Sequence, residues 1–176
     1  TGFVFQKDND YGYIITNNHV IENANSIYVT FTNGTREKVT LLGSDTYSDI
    51  AVLAIAADKI ISVAEIGNSD TTVAIGTPLN YEVYSWSVTR GILSGKDRLV
   101  EVKLSNNYSN SDYVMKVLQT DTAINSGNSG GPLCNSNGEV IGITNMKLAS
   151  SSVEGMGFAI PIETAIKYAN KYIEGN

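Results

Sequence analysis

Residues 120–133 read T-D-T-A-I-N-S-G-N-S-G-G-P-L, a glycine-rich run with a serine at position 129. Gly127, Gly130 and Gly131 permit positive φ and close approach, and Pro132 fixes the exit, so the segment is suited to holding Ser129 in one geometry. The backbone N–H groups of Gly127, Asn128 and Ser129 can converge on a small anionic oxygen, as acyl transfer through a tetrahedral intermediate requires. A plain hairpin turn has much the same composition, so the chemistry depends on finding a base and a carboxylate elsewhere in the chain.

The chain has one histidine, His19, at the end of the apolar run Y-G-Y-I-I-T-N-N-H-V. A carboxylate candidate, Asp49, precedes the apolar run I-A-V-L-A-I. Asp45 competes with it. Asp49 is preferred because the strand that follows pins its backbone, as a group that must hold one imidazole tautomer requires. Asp121, just ahead of the serine loop, is expected to be a structural hydrogen-bond acceptor. The order His19, Asp49, Ser129 is that of the chymotrypsin-type arrangement and differs from the orders in subtilisins and α/β-hydrolases.

The elements that must position these groups are short strands. An Asn33-Gly34 turn separates two alternating runs near 26–31 and 37–42, and residues 50–56 form a β-branched apolar run of strand length. Further strands are expected at 73–78, 81–86, 87–93, 113–119 and 138–144. Short strands at this spacing, divided by Gly/Asn turns, indicate an all-β barrel or sandwich. The polar stretch 94–112 reads as an exposed loop, and residues 66–70 as the seam between two halves. Residues 163–173 repeat apolar positions at helical intervals, Ala165, Ile166, Ala169 and Ile173 among them, and are expected to end the chain as a helix.

Composition limits the alternatives. A chain of 176 residues can bury roughly 70% of its unfolded surface. A net charge of −6 with no Lys/Arg cluster argues against a nucleic-acid partner. No apolar run reaches the ~18 residues of a spanning helix. Cys134 is the one cysteine, which excludes an intrachain disulfide and, with one histidine, an ordinary Cys/His zinc site. It reads as a small buried apolar residue. The start, a strand with no charged leader, is expected to lie inside a longer protein.

The motifs I-I-T-N-N-H-V-I, S-D-I-A-V-L, G-N-S-D and T-D-T-A-I-N-S-G-N-S-G-G-P-L, followed by G-E-V-I-G-I and G-F-A-I-P-I, occur in that order. Over residues 2–162 the chain resembles the protease domain of the HtrA/Deg serine proteases. The resemblance implies a trypsin-like double β-barrel of two six-stranded antiparallel barrels. Residues 1–66 would carry His19 and Asp49, residues 67–160 Ser129, and residues 161–176 the C-terminal helix and tail. It implies Ser129 as nucleophile, His19 as general base then acid, and Asp49 as the group that orients His19. The oxyanion hole would be the N–H groups of Gly127 and Ser129, with Asn128 between them. Digestive relatives have an aspartate at the place of Asn128 that pairs with a freshly cut amino terminus, so activation by such a cut is not expected.

In a cleft of this kind the primary pocket would be walled by Ala123 and Ile124 on one side and by Thr144, Asn145 and Met146 on the other. None is an acid, so a small to medium apolar P1 residue such as Val, Ala or Leu is expected rather than Lys or Arg. Residues 143–145 are expected to pair with the extended substrate backbone. The resemblance further implies an ATP-independent endopeptidase of unfolded or damaged polypeptides, outside the cytoplasm, with no cofactor. Its members often form homotrimers, and longer ones carry a PDZ domain after the final helix. The alternative is a catalytically silent scaffold that binds extended peptides.

Overall fold

A computed structural model of the chain describes residues 1–67, 71–77, 86–102, 113–148 and 155–175. The first half is built from β1 (Phe3–Lys7), β2 (Tyr11–Thr16), a one-turn helix α1 (Asn18–Ile21), β3 (Ile27–Thr30), β4 (Arg36–Asp45) and β5 (Ile50–Ala56). The second half contains β6 (Thr71–Gly76), β7 (Ser87–Val102), β8 (Tyr113–Thr120), β9 (Pro132–Cys134), β10 (Val140–Thr144), β11 (Gly157–Pro161) and helix α2 (Ile162–Glu174). The strands pair antiparallel throughout.

β6 to β11 close into a six-stranded barrel in the order β10-β11-β8-β7-β6-β9. The first half is a five-stranded sheet, β1-β2-β5-β4-β3, where six strands were expected. The stretch after β5 comes alongside β1 through one bond, Ala64 N–H to the Val4 carbonyl at 2.8 Å, without joining the sheet as a strand. A cavity of about 980 Å³ is lined by Val4, Ile14, Ile27, Phe31 and Leu53, among others.

β5 is the central strand of the sheet, and Ile50 to Ile55 are all buried. A run apolar on both faces suits that place, with β2 and β4 hydrogen-bonded to either edge. One continuous core joins the two halves. Ile15, Ile50 and Val52 from the sheet pack with Val117, Val140, Ile143 and Ile160 from the barrel, and with Ile162, Ala165 and Ala169 from α2. The helix repeats small and branched apolar residues at three- and four-residue spacing, so one stripe is buried and the other side stays wet.

Residues 94–102 do not form the loop expected of them. β7 runs unbroken to Val102, and Arg98 through Val102 pair with Val117 through Tyr113 of β8. A bulge around Gly95 and Asp97, the latter at φ 57°, sits where the polar composition suggested a loop tip. Residues 94–98 are polar or small and none of them is buried, which is why this part of the arm reads as loop, although Val102 further along is buried in the core. The expected loop residues 103–112, and most of the strand expected at 81–86, lie outside the described residues.

The helix is seated at Gly43, in β4, where an added Cβ would collide with the Tyr172 ring. Replacing Gly43 by Ala is therefore expected to overpack this contact and lower unfolding stability by about 1–3 kcal/mol. Urea denaturation checks this; an unchanged midpoint would mean that α2 does not dock there.

Candidate active site

A tight turn joins β4 to β5, and Asp45 builds it: its Oδ1 accepts the Ser48 N–H at 2.6 Å. Asp45 is thereby occupied in the turn. Asp49 ends the turn at φ 52°, a left-handed conformation that Asp and Asn tolerate better than most residues. Its carbonyl oxygen accepts the Asn18 N–H at 3.1 Å and the Asn17 Nδ2 at 2.9 Å. The backbone is therefore held at both of the segments that meet here, and the carboxylate is directed at His19.

Asp49 is 2% exposed. A carboxylate so buried is tolerable only with several donors. Oδ1 accepts the backbone N–H of His19 at 2.9 Å. Oδ2 lies 2.6 Å from His19 Nδ1 and accepts Asn145 Nδ2 at 2.7 Å. An acceptor at that place makes Nδ1 the protonated ring nitrogen, an assignment from the hydrogen-bond network, and leaves Nε2 as the basic one. The His19 side chain is about one-quarter exposed, at 23%.

Ser129 is buried to 6% in the loop between β8 and β9. Gly127 at φ 103° and Gly130 at φ 81° turn the chain sharply on both sides of it. Thr144 Oγ1 lies 2.6 Å from the Asn128 carbonyl and 3.2 Å from that of Gly131, and the Gly130 N–H donates to the Thr144 carbonyl at 2.9 Å. The three N–H groups expected to converge on an oxyanion are not equivalent. That of Asn128 donates to the Asn125 carbonyl at 3.0 Å, within the loop. Those of Gly127 and Ser129 donate to no group among the described residues. The Ser129 hydroxyl oxygen accepts the Met146 N–H at 3.0 Å, and among the described residues no hydrogen bond joins it to His19.

Two residues expected to wall the specificity pocket are placed elsewhere. Thr144 is fully buried and braces the serine loop, and Asn145, also fully buried, donates to Asp49. Pairing of residues 143–145 with a substrate is also precluded for Ile143 and Thr144. Both already lie between β11 on one side and β9 and its approach on the other. Ala123 and Met146 are exposed near the serine loop, and Ile124 is half-buried. Gly157, which the sequence reading passed over, lies against Ile124: a Cβ there would come within 2.7 Å of Ile124 Cγ1. Asp121 Oδ1 accepts the Ile92 N–H at 2.7 Å, a structural bond. Cys134 is buried in β9, and burial pushes its thiol up to about 11, so it stays protonated and unreactive at neutral pH.

The serine-bearing loop and the His19–Asp49 pair thus come from opposite halves and meet at their seam. Residues 1–143 match the family model of the trypsin-like peptidase domain. The chain is 48% identical over 167 residues to a serine protease Do-like HtrB of Bacillus subtilis, covering 92% of this chain and 35% of that protein. It is 42% identical over 178 residues to a probable periplasmic serine endoprotease, DegP-like, of Pseudomonas savastanoi, covering 97% and 34%. The solved HtrA-type protease AlgW, determined with a decapeptide, superposes with a TM-score of 0.80 at 33% identity, over 98% of this chain and 51% of that one. The chain spans about a third of the length of these curated relatives. It belongs to the trypsin-like peptidase family and, within it, to the HtrA/Deg serine proteases.

Proposed function

We propose that the chain is a serine endopeptidase domain in which Ser129 attacks the peptide carbonyl, His19 moves the proton and Asp49 holds His19. The observation that carries this is the 2.6 Å contact between His19 Nδ1 and the triply bonded carboxylate of Asp49, on the seam that also holds Ser129. In the first step Nε2 of His19 takes the hydroxyl proton as Ser129 Oγ bonds to the carbonyl carbon. The oxygen of the tetrahedral adduct gains the Gly127 and Ser129 N–H groups, the two left without an internal acceptor. His19 then protonates the departing amine, and water releases the acyl group by the same steps in reverse. The Met146 N–H that the hydroxyl oxygen accepts at rest leaves its own proton available for Nε2. Catalytic hydrogen bonds of this kind commonly tighten only with substrate bound.

The substrates we infer are unfolded or damaged polypeptides, engaged as extended chains. The decapeptide in the AlgW structure supports this class of ligand. Ala123, Ile124 and Met146 offer an apolar environment without a carboxylate, which supports a small to medium aliphatic P1 residue. A location outside the cytoplasm is supported by the relatives named as periplasmic. A homotrimer and a PDZ domain beyond this chain are proposed from the family alone. The scaffold reading has one observation in its favour, the absence among the described residues of a His19–Ser129 bond.

Three substitutions test the assignment. Ser129→Ala is expected to abolish casein hydrolysis and fluorophosphonate labelling while the circular dichroism spectrum persists; residual cleavage at the wild-type rate removes Ser129 from the mechanism, and a wild-type chain that neither cuts nor labels supports the scaffold. Asp49→Asn should lower kcat by about 10⁴-fold by favouring the wrong imidazole tautomer; a loss under tenfold would show that Asp49 does not orient His19. Asn145→Leu leaves the buried Asp49 one donor short, at a cost of about 1–3 kcal/mol in denaturant unfolding. Equal stability with full turnover would show that the Asn145 bond is dispensable.

A further inference from the structure

Thr1 ties the serine loop to the first half of the molecule. Its Oγ1 donates to the Gly127 carbonyl at 2.5 Å, and the same oxygen accepts the Thr77 N–H at 3.2 Å. Its backbone nitrogen donates to the Ser129 carbonyl at 2.9 Å. Its own carbonyl accepts Thr16 Oγ1 at 2.6 Å. One residue just ahead of β1 therefore grips two carbonyls of the loop, while being anchored to the end of β2 and to the residue following β6. The fit leaves no slack: a Cβ on Gly130 would collide with the Thr1 carbonyl and Thr16 Oγ1, and one on Gly131 would approach Thr1 Cγ2 to 3.1 Å.

The consequence follows from peptide planarity. In a trans peptide the C=O and the following N–H point in opposite directions, and no peptide bond among the described residues is cis. Thr144 holds the Asn128 carbonyl, which directs the Ser129 N–H away from Thr144. Thr1 holds the Gly127 carbonyl, which directs the Asn128 N–H to Asn125. The Gly127–Asn128 peptide is then bonded at both ends and cannot turn without breaking two hydrogen bonds. Gly127, at φ 103° and with no side chain, is the position where the loop would otherwise rotate most freely.

We infer that the Thr1 hydroxyl is a latch on the oxyanion loop, a positioning residue that stops the Gly127–Asn128 peptide, which lies between the Gly127 and Ser129 N–H groups, from turning, without touching substrate. This rests on the function proposed above. Such a group acts where charge develops in the transition state, so its loss should fall on kcat and leave KM nearly alone.

The test uses Thr1→Val, which keeps the volume and the backbone N–H but removes the hydroxyl, with Thr1→Ser as the conservative rescue, each in the full chain. Thr1→Val is expected to lower kcat by about tenfold to a hundredfold, less than outright loss of an oxyanion donor, which costs about 10²–10³. KM for a peptide substrate should stay within about twofold, and affinity for a peptide aldehyde that forms a tetrahedral adduct should fall with kcat. Thr1→Ser should restore both. Unchanged kcat in Thr1→Val, a loss confined to KM, or equal loss in Thr1→Ser overturns the latch while Ser129-dependent cleavage by the wild type leaves the enzymatic reading standing. Wild-type cleavage that survives Ser129→Ala overturns both. Should Thr1→Val not fold by circular dichroism, Thr1→Ala takes its place, with the same outcomes deciding.

Discussion

A charge almost without solvent has to be surrounded by donors, and the burial of Asp49 is the constraint from which the site takes its shape. Its three side-chain partners are the backbone and ring of His19, one turn past β2, and the amide of Asn145, at the end of β10. The first two belong to the sheet and the third to the barrel. Satisfying one carboxylate thus draws the two halves together at this point and sets the imidazole tautomer in the same act. Breaking any of these bonds strands a buried acceptor, which costs more than a hydrogen bond is worth in net terms. The shared apolar core brings the halves into contact, but it is non-directional; the direction comes from Asp49.

The serine loop meets the opposite requirement. An oxyanion site needs N–H groups left without partners, while a stable loop needs its polar groups bonded. The loop resolves this by pinning carbonyls rather than amides. Those of Gly127, Asn128 and Ser129 are all held, by Thr1, Thr144, the Gly131 N–H and Thr1 again. The free Ser129 N–H is then fixed in orientation by the peptide plane it shares with the Asn128 carbonyl, and the held Gly127–Asn128 peptide lies between it and the Gly127 N–H. The side chain of Asn128 illustrates how little room remains. It is buried, its Nδ2 reaches the Ala123 carbonyl at only 3.4 Å, and its Oδ1 finds no partner among the described residues. An aspartate there would carry a charge into a place where the Asn128 Oδ1 finds no donor among the described residues.

The candidate residues stand out in the sequence because their types are scarce: one histidine, one serine in a glycine-rich run, one carboxylate ahead of a buried strand. The competition between Asp45 and Asp49 was also legible, since a strand start pins a backbone where a turn residue is occupied by its turn. The helpers were not. Thr144 and Asn145 occupy the expected position along the chain, yet the Thr144 side chain is turned to the serine loop and that of Asn145, just past β10, to Asp49 across the seam, which depends on how the barrel closes and meets the sheet. Thr1 acts through bonds to residues 126 and 128 positions away, and Thr77 through one 76 positions away, a relation no local pattern encodes. The hairpin arm of β7 failed for another reason: period-2 alternation needs a buried face to be visible, and residues 94–99 have no buried position, the inward face resuming only at Val100 and Val102.

What remains is how a domain carries so many unsatisfied groups. Two N–H groups in the serine loop, the Oδ1 atoms of Asn17 and Asn128 and the Ser48 hydroxyl lack partners among the described residues. Asp49 adds backbone strain at φ 52°. Such costs run to about 1–3 kcal/mol each, against a net stability of only about 5–15 kcal/mol for an ordinary domain. They are clustered at the seam, and the offset lies away from it, in β5 buried on both faces and in α2 packed over the shared core. Substitutions that fill the seam's unmet bonds would therefore raise stability while removing the donors that the proposed mechanism uses, so on that mechanism stability and activity are opposed at this seam.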